Sequence, residues 1–132
     1  MWRYLEINAF KRIIYYKSEK MNEIKEILEK AKKDYGIQDD FKIKIKKLKL
    51  KGASISMGKR IIRLNEDLIS DPEIVAYLIY HELAHYKLHT RFHGYEFYKL
   101  LNSKLGEEKV KAIERKIHRK MYEMDRMIKD QT

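Results

Sequence analysis

The chain of 132 residues contains no cysteine and only one proline. Without cysteine it cannot form a disulfide framework, a zinc ribbon or a thiol nucleophile. The longest unbroken apolar run, residues 74–80, is far too short to cross a membrane. The first residues also lack the basic and then apolar layout of a secretion signal. We therefore expect a soluble, cytoplasmic protein that has no membrane partner.

Negative charge is also scarce. Thirty Lys and Arg residues against 20 Asp and Glu residues give a net charge of +10 at pH 7. A basic surface attracts DNA and other polyanions. However, the basic residues alternate with acids, as in residues 23–26, and a Lys/Glu-rich composition is also typical of hyperthermophile proteins. The net charge is therefore compatible with a polyanion partner, but it does not indicate a function.

No linker, repeat or low-complexity tract divides the chain, and 44% of its residues are hydrophobic. We therefore expect a single domain over residues 1–132. Residues 1–17 are aromatic and basic, and we interpret them as a possible N-terminal extension. Core packing is the favoured role of its large side chains, and a cover over a cleft is the alternative. These side chains are Trp2, Tyr4, Leu5, Phe10, Tyr15 and Tyr16.

Hydrophobic periodicity predicts the first elements. Apolar residues recur at three- and four-residue steps from Ser18, which predicts a helix that ends near Gly36. The period changes to two over residues 41–45, which is typical of a strand with one buried face. The alternation slips and then resumes with Leu48 and Leu50, which suggests a β-bulge.

A hairpin and three helices are predicted next. Residues 53–57 and 60–64 are predicted strands joined by a two-residue Gly-Lys turn. Residues 70–73 form a Ser-x-x-Glu capping box with a proline in the first turn, which predicts a helix from Pro72 to about Leu88. Two more helices should lie on either side of Gly106. This order is typical of an α+β fold with a small antiparallel or mixed sheet.

The strongest chemical signal is the His-Glu-x-x-His pattern at residues 81–85, inside the predicted helix. Residues four apart share a helix face, so His81 and His85 can bind the same metal ion. Glu82 lies beside such a site and can accept a proton from a water bound there. Imidazole nitrogen suits Zn²⁺, which lowers the pKa of bound water to about 7. We expect a zinc site with Glu82 as the catalytic base.

A catalytic zinc site needs a third protein ligand. His89 would lie about 12 Å from His81 along a continuous helix, so we expect it to cap the helix or to face solvent. His93 can reach the metal if residues 90–92 reverse the chain, and the adjacent Gly94 favours such a turn. His93 is therefore the predicted third ligand. His118 is expected to be structural or solvated. The alternative third ligands are Glu96, Glu107 and Glu108.

These motifs resemble those of YgjP-type and SprT-like zinc metallopeptidases. The similarity covers residues 62–85, with a Leu-Asn strand end, a Pro-Glu helix start and the His-Glu-x-x-His core, and continues through the His-Gly-x-x-Phe element of residues 93–97. It implies a zincin fold, in which a small twisted sheet and a backing helix flank an active-site helix, followed by C-terminal helices. It also implies His81, His85 and His93 as ligands and Glu82 as base.

Two departures from the resembled families bear on the site. The eight-residue step from His85 to His93 lies between the shorter YgjP-type and the longer SprT-like spacing. The absence of cysteine rules out the zinc ribbon that SprT-like proteins often carry. In size the chain is similar to the archaeal minigluzincins, whose third ligand is a glutamate, so the glutamate alternatives stay open.

The predicted function is zinc-dependent hydrolysis of peptide bonds in a peptide or protein substrate. A sheet edge beside the site is expected to bind the extended peptide. Tyr95, Tyr98 and Arg91 are near the site in sequence, with core packing the favoured role of the tyrosines. Two alternatives remain. One is a nucleic-acid-associated protease that acts on DNA-bound proteins, and the other is a non-catalytic, zinc-stabilised binding module.

Overall fold

The computed structural model describes the backbone of residues 2–131 and the side chains of residues 18–127 and of Lys129. Its elements confirm the α+β class. They are α1 (Trp2–Tyr35), β1 (Lys42–Lys46), β2 (Ala53–Ser56), β3 (Ile61–Asn65), α2 (Pro72–Leu88), α3 (Tyr95–Leu105) and α4 (Glu107–Gln131). Among the described residues, no helix is both long enough and apolar enough to span a bilayer.

Helix α1 begins much earlier than the predicted start at Ser18. The backbone is helical from Trp2, so residues 2–17 continue the helix. The physical reason is that no glycine or proline interrupts residues 2–35, and the apolar spacing of the later turns extends back to Phe10. The side chains of residues 1–17, which include the six large ones singled out above, lie outside the described residues, and their role stays a prediction.

The end of α1 and its buried face agree with the periodicity. Gly36 has a φ of +67°, and its N–H donates to the carbonyl of Lys33 at 3.2 Å, which closes the helix. Ile24 and Leu28 are buried at the predicted four-residue step. This face packs against α2, where the Tyr35 hydroxyl donates to the Tyr80 carbonyl at 3.0 Å. Helix α1 therefore backs α2.

The sheet has the order β1-β3-β2. The central strand β3 runs parallel to β1 and antiparallel to β2. In register, Ile62 of β3 lies between Ile43 and Ile55, and these three side chains belong to the face that packs on the core. The sheet is mixed, and both β1 and β2 are edge strands.

The predicted bulge after β1 is wrong. The strand ends at Lys46, and residues 47–52 cross the end of β3 to reach its other side. Asn65 organises this loop, since its Nδ2 donates to the carbonyls of Leu48 at 3.1 Å and Lys51 at 2.9 Å. Leu50 is 78% exposed with a φ of +63°. The apparent alternation at residues 48–50 is therefore part of a loop.

The hairpin exists, but its turn is longer than predicted. The last pair of the β2–β3 ladder is Ser56 opposite Ile61, so four residues, 57–60, form the connection. The left-handed residue is Arg60, with a φ of +53°, and not Gly58. The two-residue turn expected from the Gly-Lys pair is therefore wrong.

Helix α2 has the predicted bounds, Pro72–Leu88, but a different cap. Asp71, and not Ser70, is the N-cap, and its side chain accepts hydrogen bonds from the N–H groups of Glu73 and Ile74. Proline occupies the first turn, where no N–H partner is needed. Most of the helix is buried between α1, the sheet and the two C-terminal helices. Helix α2 is thus the central element of the fold.

The two C-terminal helices meet at Gly106, which has a φ of +90°. Phe97 and Leu101 of α3 are buried, as are Val110 and Ile113 of α4. Both helices pack on α2. This packing supports α2 in the part of the helix that carries His81 and His85.

Candidate metal centre

Two of the histidines lie one turn apart on α2. The Nε2 atoms of His81 and His85 are 3.2 Å apart, and their rings meet edge to face. Because α2 is supported on most sides, these two nitrogens have positions that the fold determines. His85 is buried and His81 is half-buried. The fold of α2 therefore holds two nitrogen atoms in place as possible metal ligands.

The third histidine comes from the loop after α2. His89 adopts a left-handed conformation, with a φ of +51°, and ends the helix. The carbonyl of Thr90 then lies 2.8 Å from His85 Nδ1, and the chain returns so that His93 Nε2 is 3.0 Å from both His81 Nε2 and His85 Nε2. Within the described part of the chain, these three histidines form the group that could hold a metal ion.

The separations fit a metal ion of the size of zinc. Nitrogen ligands at about 2.0–2.1 Å in a tetrahedral arrangement lie about 3.3 Å from one another. The three observed Nε2 separations of 3.0–3.2 Å are close to this value. Three imidazoles occupy one face of such a tetrahedron and leave its fourth position open, which is the arrangement of a catalytic site.

The protons on His81 and His85 support the same interpretation. Tyr77 donates its hydroxyl proton to Glu114 Oε2 at 2.7 Å, so its oxygen accepts from His81 Nδ1, 3.1 Å away. His85 Nδ1 likewise donates to Thr90. Each Nε2 therefore carries a lone pair. Two lone pairs that face each other repel, and a cation between them removes this repulsion.

Burial keeps the two helix histidines neutral. Desolvation, with a smaller contribution from His85 and His93, lowers the pKa of His81 to about 3. Desolvation also lowers the pKa of His85. Neutral imidazole is the form that binds a metal, so the fold maintains the ligand state of both residues at neutral pH.

A hydrogen-bonded group supports His81 from behind. Glu114 of α4 accepts from Tyr77 of α2 and, at 3.1 Å, from Tyr98 of α3. Burial, followed by the Glu114 contact, raises the pKa of Tyr77, so its hydroxyl stays protonated and donates to the carboxylate. Residues from three helices thus fix the orientation of the His81 ring. Hydrogen-bond partners behind the ligands have the same effect in metal sites.

Sequence reasoning missed this group. Tyr77 precedes His81 by four residues on the same helix face, and that spacing was a usable signal. Glu114 lies far away in the sequence and gave no local signal. Tyr98 was expected to pack in the core, and its hydroxyl contact with Glu114 adds a polar role.

Phe97 forms the apolar support of the three imidazoles. Its ring is almost fully buried. It stacks on His85 at a centroid distance of 4.5 Å and meets His81 and His93 at 4.8 and 5.0 Å. This contact explains why a phenylalanine follows the His-Gly pair by three residues, since one turn of α3 brings the ring under the cluster.

Glu82 faces the same cavity as the histidines. The cavity has a volume of about 490 Å³ and is lined by the three histidines, Glu82, Arg91 and the start of β2, among other residues. Glu82 is 7% exposed. Burial raises its pKa to about 7, against the opposing effect of Arg91 and Lys51. A carboxyl group with this pKa can both take up and release a proton near neutral pH.

The alternative ligands lie elsewhere. The three glutamates are exposed and do not line the cavity; they are Glu96, Glu107 and Glu108. His89 serves as the C-cap of α2, in line with the expectation for it. His118 is exposed but contributes to the cavity wall, and Tyr95 is 76% exposed rather than packed in the core.

Comparison with known proteins places the chain among metallopeptidases. A family model described as "YgjP-like, metallopeptidase domain" matches residues 8–120. The protein MJ0123 of Methanocaldococcus jannaschii is 32% identical over 106 residues, which cover 79% of this chain and 96% of that protein. The protein aq_aa15 of Aquifex aeolicus is 38% identical over 96 residues, or 70% of this chain and 86% of the relative.

Two solved structures are similar to the fold. The metallopeptidase zymogen abylysin of Pyrococcus abyssi has a TM-score of 0.70 and 31% identity, and the match covers 75% of this chain and 95% of that one. The metallopeptidase zymogen jannalysin of Methanocaldococcus jannaschii has a TM-score of 0.67 and 33% identity, with coverage of 74% and 96%. The resemblance noted from the motifs is thereby confirmed.

Proposed function

The chain belongs to the YgjP-like metallopeptidase family, and we propose that it is a zinc-dependent peptidase with Glu82 as its catalytic base. His81, His85 and His93 would hold the zinc ion. The observation that carries the proposal is the convergence of three histidine Nε2 atoms within 3.2 Å of one another on a cavity that a buried carboxyl group also lines.

The chemistry follows from the positions of these groups. Zinc bound by the three imidazoles would lower the pKa of a water molecule and polarise the scissile carbonyl. Glu82 accepts a proton from the attacking water at its carboxylate and then delivers it to the nitrogen of the departing amine. Because Glu82 is buried, its carboxyl group has little competition from solvent protons during this transfer.

Strand β2 is the sheet edge that we expect to bind the substrate. One side of β2 pairs with β3, and its other side has no strand partner among the described residues. The cavity is lined by Ala53, Ser54 and Ile55 of this strand. An extended peptide that pairs with β2 would thus pass over the histidine cluster, and main-chain hydrogen bonds would bind it independently of its sequence.

The central experiment replaces Glu82 by Gln. This variant keeps the shape of the side chain but cannot accept the proton, so we expect a loss of cleavage of at least about a hundredfold with unchanged zinc stoichiometry. Glu123→Gln is the matched control, because it changes an exposed carboxylate outside the cavity. Equal cleavage rates for Glu82→Gln and the unaltered chain would refute the role of Glu82.

The same assay tests the non-catalytic alternative. A zinc-stabilised binding module would bind the metal and gain stability from it, but it would not cleave peptides or unfolded proteins. Zinc binding without turnover of any such substrate would therefore favour the module over the peptidase.

A polyanion-associated function is supported by one surface. Lys42, Lys44 and Lys46 alternate along the edge strand β1, and all three are exposed. Their side chains form no ion pair within the described part of the chain. If this surface binds DNA, binding should weaken steeply with salt and fall when the three lysines are replaced by Gln. No binding at low salt would exclude this role.

We also propose that residues 1–17 restrain the access of substrate to the histidine cluster. Its support is that both solved relatives are described as zymogens. Deletion of residues 1–17 should then raise the cleavage rate. Unchanged activity with lower stability would show that these residues serve the core instead.

A further inference from the structure

Two cations at the opening of the cavity have no role in the chemistry described so far. Lys51 and Arg91 both line the cavity, and both are exposed. Neither forms an ion pair with an acidic residue among those that the structure describes. Lysine and arginine side chains without a carboxylate partner at a site opening are available to a ligand.

The fold holds Lys51 in place through a buried amide. Asn65 is 1% exposed, and its Nδ2 donates to the Lys51 carbonyl at 2.9 Å. Its backbone N–H also donates to the Gly52 carbonyl at 2.8 Å. Gly52 packs so closely on α2 that a Cβ there would lie 3.0 Å from Leu78 Cδ2. The backbone of Lys51 is therefore fixed directly before the edge strand β2.

Arg91 is held by the loop that carries His93. The preceding Thr90 accepts from His85 through its carbonyl, and its Oγ1 accepts from the Phe92 N–H at 3.1 Å. Arg91 thus lies between an anchored residue and a histidine of the cluster. The two cations come from two different elements and face one cavity.

The acidic groups of the cavity wall do not neutralise the opening. Glu114 is engaged by the hydroxyls of Tyr77 and Tyr98, and Glu82 is buried. Lys51 and Arg91 line the same cavity as Glu82, and both are exposed. A substrate side chain that enters from solvent meets the exposed cations before it meets the buried carboxyl group.

We propose that Lys51 and Arg91 make the site selective for peptides with an acidic side chain next to the scissile bond. The proposal rests on the peptidase function above. It names a carboxylate as the chemical feature that the cavity recognises.

The first test compares cleavage of matched short peptides that carry Glu, Gln or Lys beside the cut site. We expect kcat/KM to fall in the order Glu, Gln, Lys, by about fivefold per step, the upper range for an exposed ion pair. Lys51→Glu and Arg91→Glu should each abolish the preference for the Glu peptide, because either change leaves one positive and one negative side chain in the cavity lining. Equal rates on the Glu and Gln peptides would overturn the proposal.

A control variant separates local from general charge effects. Lys49→Glu changes the net charge equally, on the same loop, at an exposed residue that does not line the cavity. We expect it to keep the preference for the Glu peptide. If Lys49→Glu and Lys51→Glu shift the preference equally, the whole basic surface and not the cavity recognises the charge, and the proposal is wrong.

Binding without turnover distinguishes this proposal from the proposed function. The affinity of Glu82→Gln for the same labelled peptides is measured by fluorescence anisotropy, with and without the Lys51→Glu change. Tighter binding of the Glu peptide that Lys51→Glu abolishes supports acidic recognition even if the unaltered chain cleaves nothing. Turnover by the unaltered chain with no preference in either assay would leave the peptidase intact and refute the selectivity.

Discussion

The proposed metal centre combines residues from two regions, one well supported by the core and one held by a few contacts. His81 and His85 lie on α2, a helix that is buried on most sides. The Nδ1 atom of His81 contacts the Tyr77 hydroxyl, which in turn donates to Glu114. His93 lies in the loop of residues 89–94, where it is exposed and next to Phe92, which is 81% exposed. The helix donors are preformed by the core, whereas the loop donor depends on a few local hydrogen bonds.

This difference in support leads us to expect different roles for the helix histidines and the loop histidine. Preformed donors bind a metal without much ordering cost. A loop donor adds affinity only after the loop is ordered, and it can adapt to the substrate. The same loop carries Arg91, so the region proposed to complete the metal site also carries one of the two cations proposed to contact the substrate. We expect perturbations of the two regions to differ in size, which the following predictions test.

The largest effect should come from a helix donor. His85→Ala removes one ligand and also the hydrogen bond that anchors Thr90, so it disturbs the loop as well. We expect zinc affinity to fall by at least about a hundredfold, one ligand's share of a typical zinc-binding free energy. His93→Ala leaves the helix pair intact and should lose less. Titration against a competing chelator measures both, and a greater loss for His93→Ala would contradict the comparison.

A smaller loss should follow when the support of His81 is removed. Tyr77→Phe deletes the oxygen that accepts from His81 Nδ1, and we expect zinc affinity to fall about tenfold to a hundredfold, as for other outer-shell changes. Tyr98→Phe is the control, because it also removes a hydroxyl from Glu114 but leaves the Tyr77–His81 contact in place. Equal losses in the two variants would mean that general packing, and not this contact, matters.

Removal of the metal should affect the loop more than the helix. Without zinc, residues 89–94 lose the constraint at His93, so we expect their amide hydrogens to exchange about tenfold faster. The amides of residues 74–84 lie in the buried part of α2 and should change little. Hydrogen–deuterium exchange with and without a chelator measures this, and equal acceleration in both segments would show that α2 is not preformed.

The smallest effect concerns the start of α2, far from the cluster. Asp71→Ala removes the N-cap and should lower the free energy of unfolding by about 1 kcal/mol, without changing zinc affinity. Asp71→Asn keeps a capping oxygen but loses the charged contact with Lys116, so it should cost less. Urea unfolding of both variants, with zinc titrations in parallel, tests this, and a large loss of zinc affinity would mean that the helix donors are not independently supported.

The same pair of residues sets a pH dependence. The hydrogen bond from Lys116 lowers the pKa of Asp71. A lowered pKa in the folded state means that the contribution is fully present above the unfolded pKa of about 3.9 and is lost as pH falls through the folded value. The stability difference between the unaltered chain and Asp71→Asn should therefore shrink in acid. A difference that grew in acid would have the wrong sign.

The parts of this fold that were predictable have strong local signals. The start of α2 followed from the proline and the capping pattern of residues 70–73, and Gly36 marked the end of α1. The spacing of His81 and His85 placed them on one face because helix geometry alone determines that relation. In each case the determining interactions lie within a few residues of one another.

The parts that failed depend on contacts between distant residues. Nothing local shows that β1 pairs with β3 in parallel, so the alternation at residues 48–50 looked like a strand continued after a bulge, whereas Asn65 holds this segment as a loop. The role of Glu114 required the packing of α4 on α2 and α3. The early start of α1 was missed because the pattern over residues 1–17 is weak, although no residue there breaks a helix.

The most direct test of the account is a crystal structure of the zinc-loaded chain, with anomalous scattering to identify the metal. We predict zinc bound to the Nε2 atoms of His81, His85 and His93 at about 2.0–2.1 Å, with the fourth position open to solvent or substrate. A site completed by Glu96, Glu107 or Glu108, with His93 turned away from the metal, would contradict it.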